Sequence, residues 1–253
     1  MLYGGHVKKL EHLEMLQEIG FDFGEVVFRT PEDLALWNES GVKNRFGPRF
    51  FLLGHGPFEG PPNDIPHLYE AYLPSLKQSV DVAHKMELSF LTVHLWLDSR
   101  FVKPDVRLEK IAALRELIGY GQDRGIEIAL ENLSESAEDL GPIFDQVPGL
   151  VLTLDVGHAQ LLSKFNRSFE IIDQLRAWIR HVHVHDNQGG NSAKDDIHLP
   201  IGKGIIDFPS IMAKLVRTGY DGTVTLELEP DALVESRARI QGILESVLTA
   251  AQD

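Results

Sequence analysis

The sequence predicts an α/β protein with the architecture of a (β/α)8 TIM barrel. Eight short apolar runs alternate with amphipathic stretches, and most of the runs are near-continuous rather than alternating in polarity. Strands that are buried on both faces of a parallel sheet have this pattern, and alternation of strand and helix is typical of βαβ units. The length of 253 residues suits eight such units closed into one barrel.

The apolar runs give the predicted strands in chain order: residues 2–5, 24–28, 50–54, 90–94, 126–130, 151–155, 180–185 and 223–228. No phosphate-binding turn of the Gly-x-Gly-x-x-Gly or Gly-x-x-x-x-Gly-Lys-Ser/Thr type follows any of them. An open nucleotide-binding sheet is therefore the weaker alternative. Since no linker or low-complexity tract interrupts the pattern, we expect a single TIM-barrel domain over residues 1–253.

The stretches between the runs predict the helices. Residues 105–124 place leucine and isoleucine at helical spacing between Pro104 and Gly125. Residues 208–218 and 232–249 show the same spacing. Residues 68–86 are also helical in pattern, and Pro74 predicts the start of a new helix among them because proline fits the first turn of a helix.

Composition limits the class of protein. The chain has 43% hydrophobic and 25% charged residues, which is ordinary for a globular protein, and it has no cysteine. Disulfides, thiolate metal sites and cysteine nucleophiles are therefore excluded. No apolar run approaches the roughly 18 residues of a membrane-spanning helix, and the first residues do not form a signal peptide. We expect a cytoplasmic protein with no membrane partner.

The charge balance bears on possible partners. The formal net charge is -14. A field of that sign repels the phosphate backbone of nucleic acids, so it opposes general nucleic-acid binding without excluding a local groove. The amphipathic stretches show no surplus apolar face, so the sequence leaves the oligomeric state open.

Histidine and carboxylate side chains lie at the ends of the predicted strands, where a TIM barrel carries its active site. His55 follows the third run, His94 ends the fourth, and Glu131 follows the fifth. The later runs and the long connection after the seventh supply the other candidates: Asp155, His158, His183, Asp196, His198 and Glu227. Imidazole nitrogen and carboxylate oxygen bind zinc, manganese and similar ions. The strand ends therefore predict a divalent-metal site.

Other polar residues near these strands are interpreted differently. His181 and His185 lie on the same side of the strand as His183, and three histidines cannot occupy one coordination shell, so at least one of them is structural. Glu229 is expected at the rim or as a helix cap. The remaining histidines follow no pattern and are expected at the surface or in packing contacts: His6, His12, His67 and His84.

Three segments resemble the xylose-isomerase-like TIM-barrel superfamily, which includes sugar and sugar-phosphate isomerases and epimerases and also endonuclease IV. They are LDVGH at residues 154–158, HVHDN at 183–187 and HLPIGKGIIDF at 198–208. The resemblance covers nearly the whole chain. It implies the barrel fold and a metal-dependent enzyme.

In the isomerase and epimerase branch, the resemblance implies one divalent ion held by Glu131, Asp155, His183 and Glu227. The two glutamates act there as acid and base on a sugar or sugar phosphate, and His158 contacts this substrate. The ion polarises a carbonyl and stabilises an enediolate while one glutamate removes a proton and the other returns it. Ketose 3-epimerases carry an arginine shortly after the strand-seven histidine, whereas this chain has NQGG at residues 187–190.

In the endonuclease IV branch, nine ligands bind three zinc ions. The matching positions are His55, His94, Glu131, Asp155, His158, His183, Asp196, His198 and Glu227. They define the alternative function, a multi-zinc phosphodiesterase acting on abasic DNA or a small phosphoester. The segment RTPED at 29–33 lacks the basic and aromatic character of that branch's DNA-handling loop. A non-catalytic metal-binding barrel is a third alternative, and the ion, zinc or manganese, and its number, one to three per chain, stay open.

Overall fold

The computed structural model describes residues 1–28, 30–39, 41 and 50–250. Eight parallel strands close into a barrel in chain order, and β1 pairs with β8. They are β1 (Leu2–Val7), β2 (Phe23–Val27), β3 (Phe51–His55), β4 (Phe90–His94), β5 (Glu127–Glu131), β6 (Val151–Asp155), β7 (Ile179–Val184) and β8 (Thr223–Leu226). The predicted fold class is confirmed, and every predicted run overlaps a strand. Arg29, in the predicted loop after the second strand, lies outside the described residues.

Helices connect the strands around the outside of the barrel. They are α1 (Leu10–Glu18), α2 (Pro31–Glu39), α3 (Ile65–His67), α4 (Leu73–Lys85), α5 (Pro104–Gln122), α6 (Ala137–Gln146), α7 (Ser168–Leu175), α8 (Phe208–Arg217) and α9 (Leu233–Ala250). A π-helical turn, Leu68–Tyr72, joins α3 to α4, and Pro74 lies in the first turn of α4 as expected. None of the helices in the described part of the chain is long and apolar enough to cross a membrane.

The interior of the barrel is closed at its amino-terminal end by apolar side chains. Phe23, Leu53, Phe90, Ala129 and Val151 form a small cluster that is separate from the main core between strands and helices. The ring of Phe23 occupies the space beside Gly4, where an added Cβ would lie 2.1 Å from it. This plug leaves the carboxyl-terminal end of the barrel for polar groups.

A polar layer lies next along the strands. Thr92 and Thr153 are hydrogen-bonded through their hydroxyls at 3.0 Å, and Thr225 lies 3.0 Å from His181 Nε2. Side chains two residues apart on a strand point to the same side. The residues two positions further along these strands therefore also face the interior, at the mouth of the barrel: His94, Asp155, Glu227 and His183.

Candidate functional site

The nine predicted site residues lie together at the carboxyl-terminal mouth of the barrel. Seven of them are buried: His55, His94, Glu131, Asp155, His158, His183 and Glu227. The side chains of Asp196 and His198, from the long connection after β7, are 26% and 32% exposed. The fold thus brings residues from six strand ends and one loop into a single cluster.

Glu131, at the end of β5, lies at the centre of the cluster. Its Oε1 is 2.9 Å from His158 Nδ1. Its Oε2 is 3.2 Å from His94 Nε2, 3.5 Å from His183 Nδ1 and 3.6 Å from His55 Nε2. One carboxylate therefore faces histidines from four other parts of the barrel.

His183 links Glu131 to the other acidic residues. Its Nδ1 lies 2.8 Å from Glu227 Oε1 and 3.8 Å from Asp155 Oδ2. Glu131, Asp155, His183 and Glu227 are the four residues that the isomerase resemblance assigns to one ion. The structure places the three carboxylates around the Nδ1 atom of this histidine.

The long connection after β7 adds a second group. Asp196 lies 3.2 Å from His158 Nε2 through Oδ2 and 3.2 Å from His198 Nε2 through Oδ1. His185 stacks on His198, with ring centroids 3.8 Å apart and an interplanar angle of 7°. His198 has a φ of 44°, which is strained for a residue with a side chain. Strain of this kind clusters at functional sites.

The donor set and its unsatisfied atoms fit a divalent ion. Buried polar atoms normally have a hydrogen-bond partner. Among the described residues, the buried atoms without one include ten in this cluster: His94 Nδ1, Glu131 Oε1 and Oε2, Asp155 Oδ2, His158 Nδ1, His183 Nδ1, His185 Nδ1 and Nε2, Asp196 Oδ1 and Glu227 Oε1. Three or four such ligand atoms lie within 4.8 Å of one another in several combinations. Histidine nitrogens and carboxylate oxygens that converge in this way are typical metal ligands.

The charges in the cluster shift the pKa values of its members. Burial by itself raises the pKa of Glu131, but the charges of His94 and His183 outweigh it and hold this pKa well below its usual range. Glu227 behaves in the same way beside His6 and His183. Both glutamates are therefore carboxylates at neutral pH, as metal ligands and proton acceptors must be.

The pKa shifts of the site histidines run in two directions. Burial lowers the pKa of His55 to about 4, so this imidazole is neutral at pH 7. Burial also opposes the charged form of His198, but Asp196 and Glu227 raise its pKa to about 9. Asp155 and Asp196 likewise raise the pKa of His158 well above its usual value against the effect of burial.

Besides His185 of the second group, two residues belong to this region although they were not among the nine predicted ones. His6 is buried, and its Nε2 lies 2.8 Å from Glu227 Oε1 and 3.1 Å from His55 Nδ1, so the expectation of a surface or packing role was wrong. His55 was selected because it directly follows an apolar run, and the same rule selects His6, which directly follows the first run. Glu25 is fully buried in the middle of β2, where a charged residue inside an apolar run was the available signal.

The other polar residues occupy the expected kinds of position. His181 lies deeper than His183 and is hydrogen-bonded to Thr223 and Thr225, which suits the structural role predicted for at least one of the three histidines. Glu229 is at the rim, 2.7 Å from Lys8. The three histidines left without a pattern are half-buried or exposed: His12, His67 and His84.

Hydrogen bonds from neighbouring residues hold the site residues in place. The Asn132 side chain donates to the Asp155 carbonyl and accepts from the Asp155 N–H, both at 2.9 Å. The Asp155 carboxylate accepts a hydrogen bond from the backbone N–H of His158, which fixes the turn between them. Asp186 accepts from the backbone N–H groups of Gly202 and Gly204 at 2.8 and 2.9 Å, which anchors the long connection that carries Asp196 and His198.

Two pockets open beside the cluster and share Asp196. One, of about 350 Å³, is lined on its rim by Phe58 and Lys8. The other, of about 210 Å³, has a mostly apolar wall that includes Trp96 and Leu133. A further pocket of about 520 Å³ lies at the opposite end of the barrel, away from the cluster. The cluster is thus accessible to a small molecule from two sides.

The fold and the cluster can be compared with known proteins. A family model described as a xylose isomerase-like TIM barrel matches residues 13–247. The chain belongs to this family. The resemblance that the sequence motifs indicate is therefore confirmed.

This xylose isomerase-like barrel has curated relatives. It is 26% identical over 237 residues to an uncharacterised protein of Methanocaldococcus jannaschii, covering 85% of this chain and 77% of that protein. It is 24% identical over 187 residues to fructoselysine 3-epimerase of Shigella flexneri, covering 71% of this chain and 66% of the epimerase.

Solved structures superpose over nearly the whole chain. A D-tagatose 3-epimerase-like protein matches with a TM-score of 0.81 at 25% identity, covering 99% of this chain and 100% of that one. A Thermus thermophilus protein whose crystal was soaked with ZnCl2 matches with a TM-score of 0.77 at 22% identity, covering 97% and 99%. The likeness to the Thermus thermophilus protein shows a shared fold.

Proposed function

We propose that this protein is a divalent-metal-dependent isomerase or epimerase of a sugar or sugar phosphate. The observation that carries the proposal is the placement of two buried glutamates around one histidine. His183 Nδ1 lies 3.5 Å from Glu131 and 2.8 Å from Glu227. A relative named fructoselysine 3-epimerase and a solved structure named D-tagatose 3-epimerase-like protein support a sugar as substrate.

The residues that would hold the ion are Glu131, Asp155, His183 and Glu227. When bound, a divalent ion supplies a Lewis acid that polarises a carbonyl and its neighbouring hydroxyl. The substrate would enter from the pockets on either side of Asp196.

Proton transfer is assigned to the two glutamates. Both are ionised at neutral pH, as a group that removes a proton must be. They come from β5 and from the end of β8, so they approach a bound sugar from different sides. One would remove the proton next to the carbonyl. The other, after taking up a proton from water or a substrate hydroxyl, would return one to the substrate carbon. His158, which lines the apolar pocket and has a raised pKa, would donate a hydrogen bond to a substrate oxygen.

Glu131→Gln and Glu227→Gln test this assignment. We expect each variant to slow exchange of the substrate's carbon-bound proton with deuterated water by about 10²- to 10⁴-fold, the usual contribution of a positioned acid or base. The assay would screen aldoses, ketoses and their phosphates by proton NMR in the presence of zinc or manganese. Glu127→Gln is the matched control because Glu127 is exposed at the opposite end of the same strand. Wild-type exchange rates in both site variants would contradict the proposal.

Phosphoester hydrolysis is the second candidate, and one observation favours it. His158, His185, Asp196 and His198 form a second group within 4.8 Å, beside the group around His183. Several ions held close together could clamp a phosphate and activate a water molecule. The net charge of -14 favours a small phosphoester over abasic DNA.

Replacing both His55 and His94 by alanine separates the two candidates. We expect the double variant to lose hydrolysis of an aryl phosphodiester or an abasic duplex if several ions are needed. The same variant should keep part of an isomerase activity that depends on one ion held by the other four residues. Equal loss in both assays would contradict the assignment of His55 and His94 to the additional ions.

A further inference from the structure

Glu25 is a buried carboxylate that the proposed mechanism does not use. It lies in β2, its side chain is fully buried, and its register partner on β1 is His6. A charge in such a position is costly unless it is paired and hydrogen-bonded. Its contacts therefore indicate what it does.

The Glu25 carboxylate lies close to three buried histidines, His183, His181 and His55. Both carboxylate oxygens lie 3.1 Å from His183 Nε2. Oε2 is also 3.1 Å from His181 Nε2, and Oε1 is 3.4 Å from His55 Nδ1. An ionised carboxylate only accepts hydrogen bonds. His183 and His181 must therefore each donate from Nε2.

This contact fixes the chemistry of the His183 ring. A neutral imidazole has one N–H and one lone pair, and the hydrogen bond of one nitrogen decides which atom is left as a ligand. When an ion is bound, the ring is neutral and its one proton stays on Nε2. The lone pair then lies on Nδ1, the atom that faces Glu131, Asp155 and Glu227. The arrangement is that of a carboxylate orienting a histidine ligand from behind.

We infer that Glu25 is a positioning residue that holds His183 with its proton on Nε2 and so presents Nδ1 to the divalent ion. The inference rests on the proposed function, because it requires an ion in the cluster. His181 supports Glu25 from the other side, and its Nδ1 is occupied by Thr223 Oγ1 at 2.6 Å. Glu25 therefore acts through His183 and touches neither ion nor substrate.

The competing interpretation makes Glu25 itself a ligand. His6, Glu25, His55 and His183 each offer an atom within a common 4.8 Å. In that arrangement His183 would have to bind through Nε2, which would leave Nδ1 without an ion among three carboxylates. The two interpretations assign opposite nitrogens of the same ring, so an experiment on the ring distinguishes them.

Metal titration of Glu25→Gln is the first test. We expect the affinity for zinc and for manganese, measured by isothermal titration calorimetry, to fall by about 10- to 100-fold, as is usual when a carboxylate behind a histidine ligand is lost. Glu135→Gln is the matched control, because Glu135 is equally buried but accepts its hydrogen bonds from backbone N–H groups, including those of Leu97, Leu133 and Ser134. Unchanged affinity in a folded Glu25→Gln protein would overturn the inference.

The second test uses the zinc-loaded wild-type protein and does not depend on the folding of a variant. Two-bond proton–nitrogen correlation spectra of the histidine rings should show His183 protonated at Nε2, with the shift of a metal-bound nitrogen at Nδ1. Zinc bound at Nε2 would overturn the inference in favour of Glu25 as a ligand. A wild-type protein that binds no ion would instead overturn the proposed function, and this inference with it.

Discussion

Gly157 shows at the scale of one residue how the site depends on close packing. It lies in the turn after β6, and a Cβ added there would be 2.2 Å from the ring of His185. That ring stacks on His198, which in turn lies 3.2 Å from Asp196. A side chain at position 157 would therefore displace residues of the second candidate metal group.

We expect Gly157→Ala to lower both stability and metal affinity. Forcing a methyl group into a packed site typically costs about 1–3 kcal/mol, and the shift of His185 should reach His198 and Asp196. Urea unfolding and zinc titration measure the two effects. Gly242→Ala in α9 is the control, since a Cβ there meets no atom within 4 Å, and it should stabilise the helix by up to about 1 kcal/mol. A Gly157→Ala protein as stable and as tight-binding as wild type would show that the contact is not needed.

At the scale of elements, a buried ion pair joins α5 to two loops at the mouth of the barrel. Lys110, only 1% exposed, pairs with Glu59 in the connection after β3. It also donates to the carbonyl of Trp96 after β4 at 2.8 Å, and Glu59 accepts from the Trp96 N–H at 2.8 Å. Burial raises the pKa of Glu59 and lowers that of Lys110, which shows the cost of enclosing the pair.

Lys110→Met should destabilise the protein by about 3–5 kcal/mol, because it leaves the Glu59 carboxylate buried without its partner. Replacing both residues, in Lys110→Met/Glu59→Leu, should recover most of the loss. Chemical denaturation of the wild type and the single and double variants gives the comparison. A single variant with less than about 1 kcal/mol of destabilisation would mean that water reaches Glu59 and that the pair does not hold the loops.

The elements could be predicted from the sequence because strands buried on both faces are marked by continuous apolar runs. The connections are less predictable. The π-helical turn at Leu68–Tyr72 has no counterpart in the helical spacing. The path that brings Asp196 and His198 to the cluster depends on the hydrogen bonds that Asp186 accepts from glycine N–H groups sixteen and eighteen residues away. Such contacts leave no periodic signal.

The candidate site illustrates both the use and the limit of examining strand ends. That rule selected the residues that the structure gathers around Glu131. It could not select Glu25, which is inside a strand and acts behind the cluster. It also could not rank His181, His183 and His185, which share one side of β7, because depth along the barrel axis decides their roles.

The stability of the whole molecule should depend on the protonation of Glu135, a buried carboxyl outside the candidate site. Burial raises the pKa of Glu135 from 4.5 to about 7. A raised pKa in the folded state means that folding favours the protonated form. The resulting contribution to stability is full below pH 4.5 and is lost as the pH rises to about 7.

We expect the difference in unfolding free energy between wild type and Glu135→Gln to change by about 3 kcal/mol between pH 4.5 and 7, with the wild type losing stability as the pH rises. Guanidinium denaturation at several pH values measures it, and subtracting the two proteins removes the contribution of the site carboxylates. A difference that stays constant with pH would show that Glu135 remains ionised in the folded state.

The cluster at the barrel mouth should bind divalent ions, and the number of ions per chain can be counted. The protein would be purified without chelator, equilibrated with zinc and manganese, and subjected to elemental analysis beside Glu131→Gln. We predict at least one ion per wild-type chain and fewer in the variant. Three per chain would favour phosphoester hydrolysis, and one would favour the isomerase or epimerase. A wild-type protein that retains only traces of either metal would show that the cluster is not a metal site.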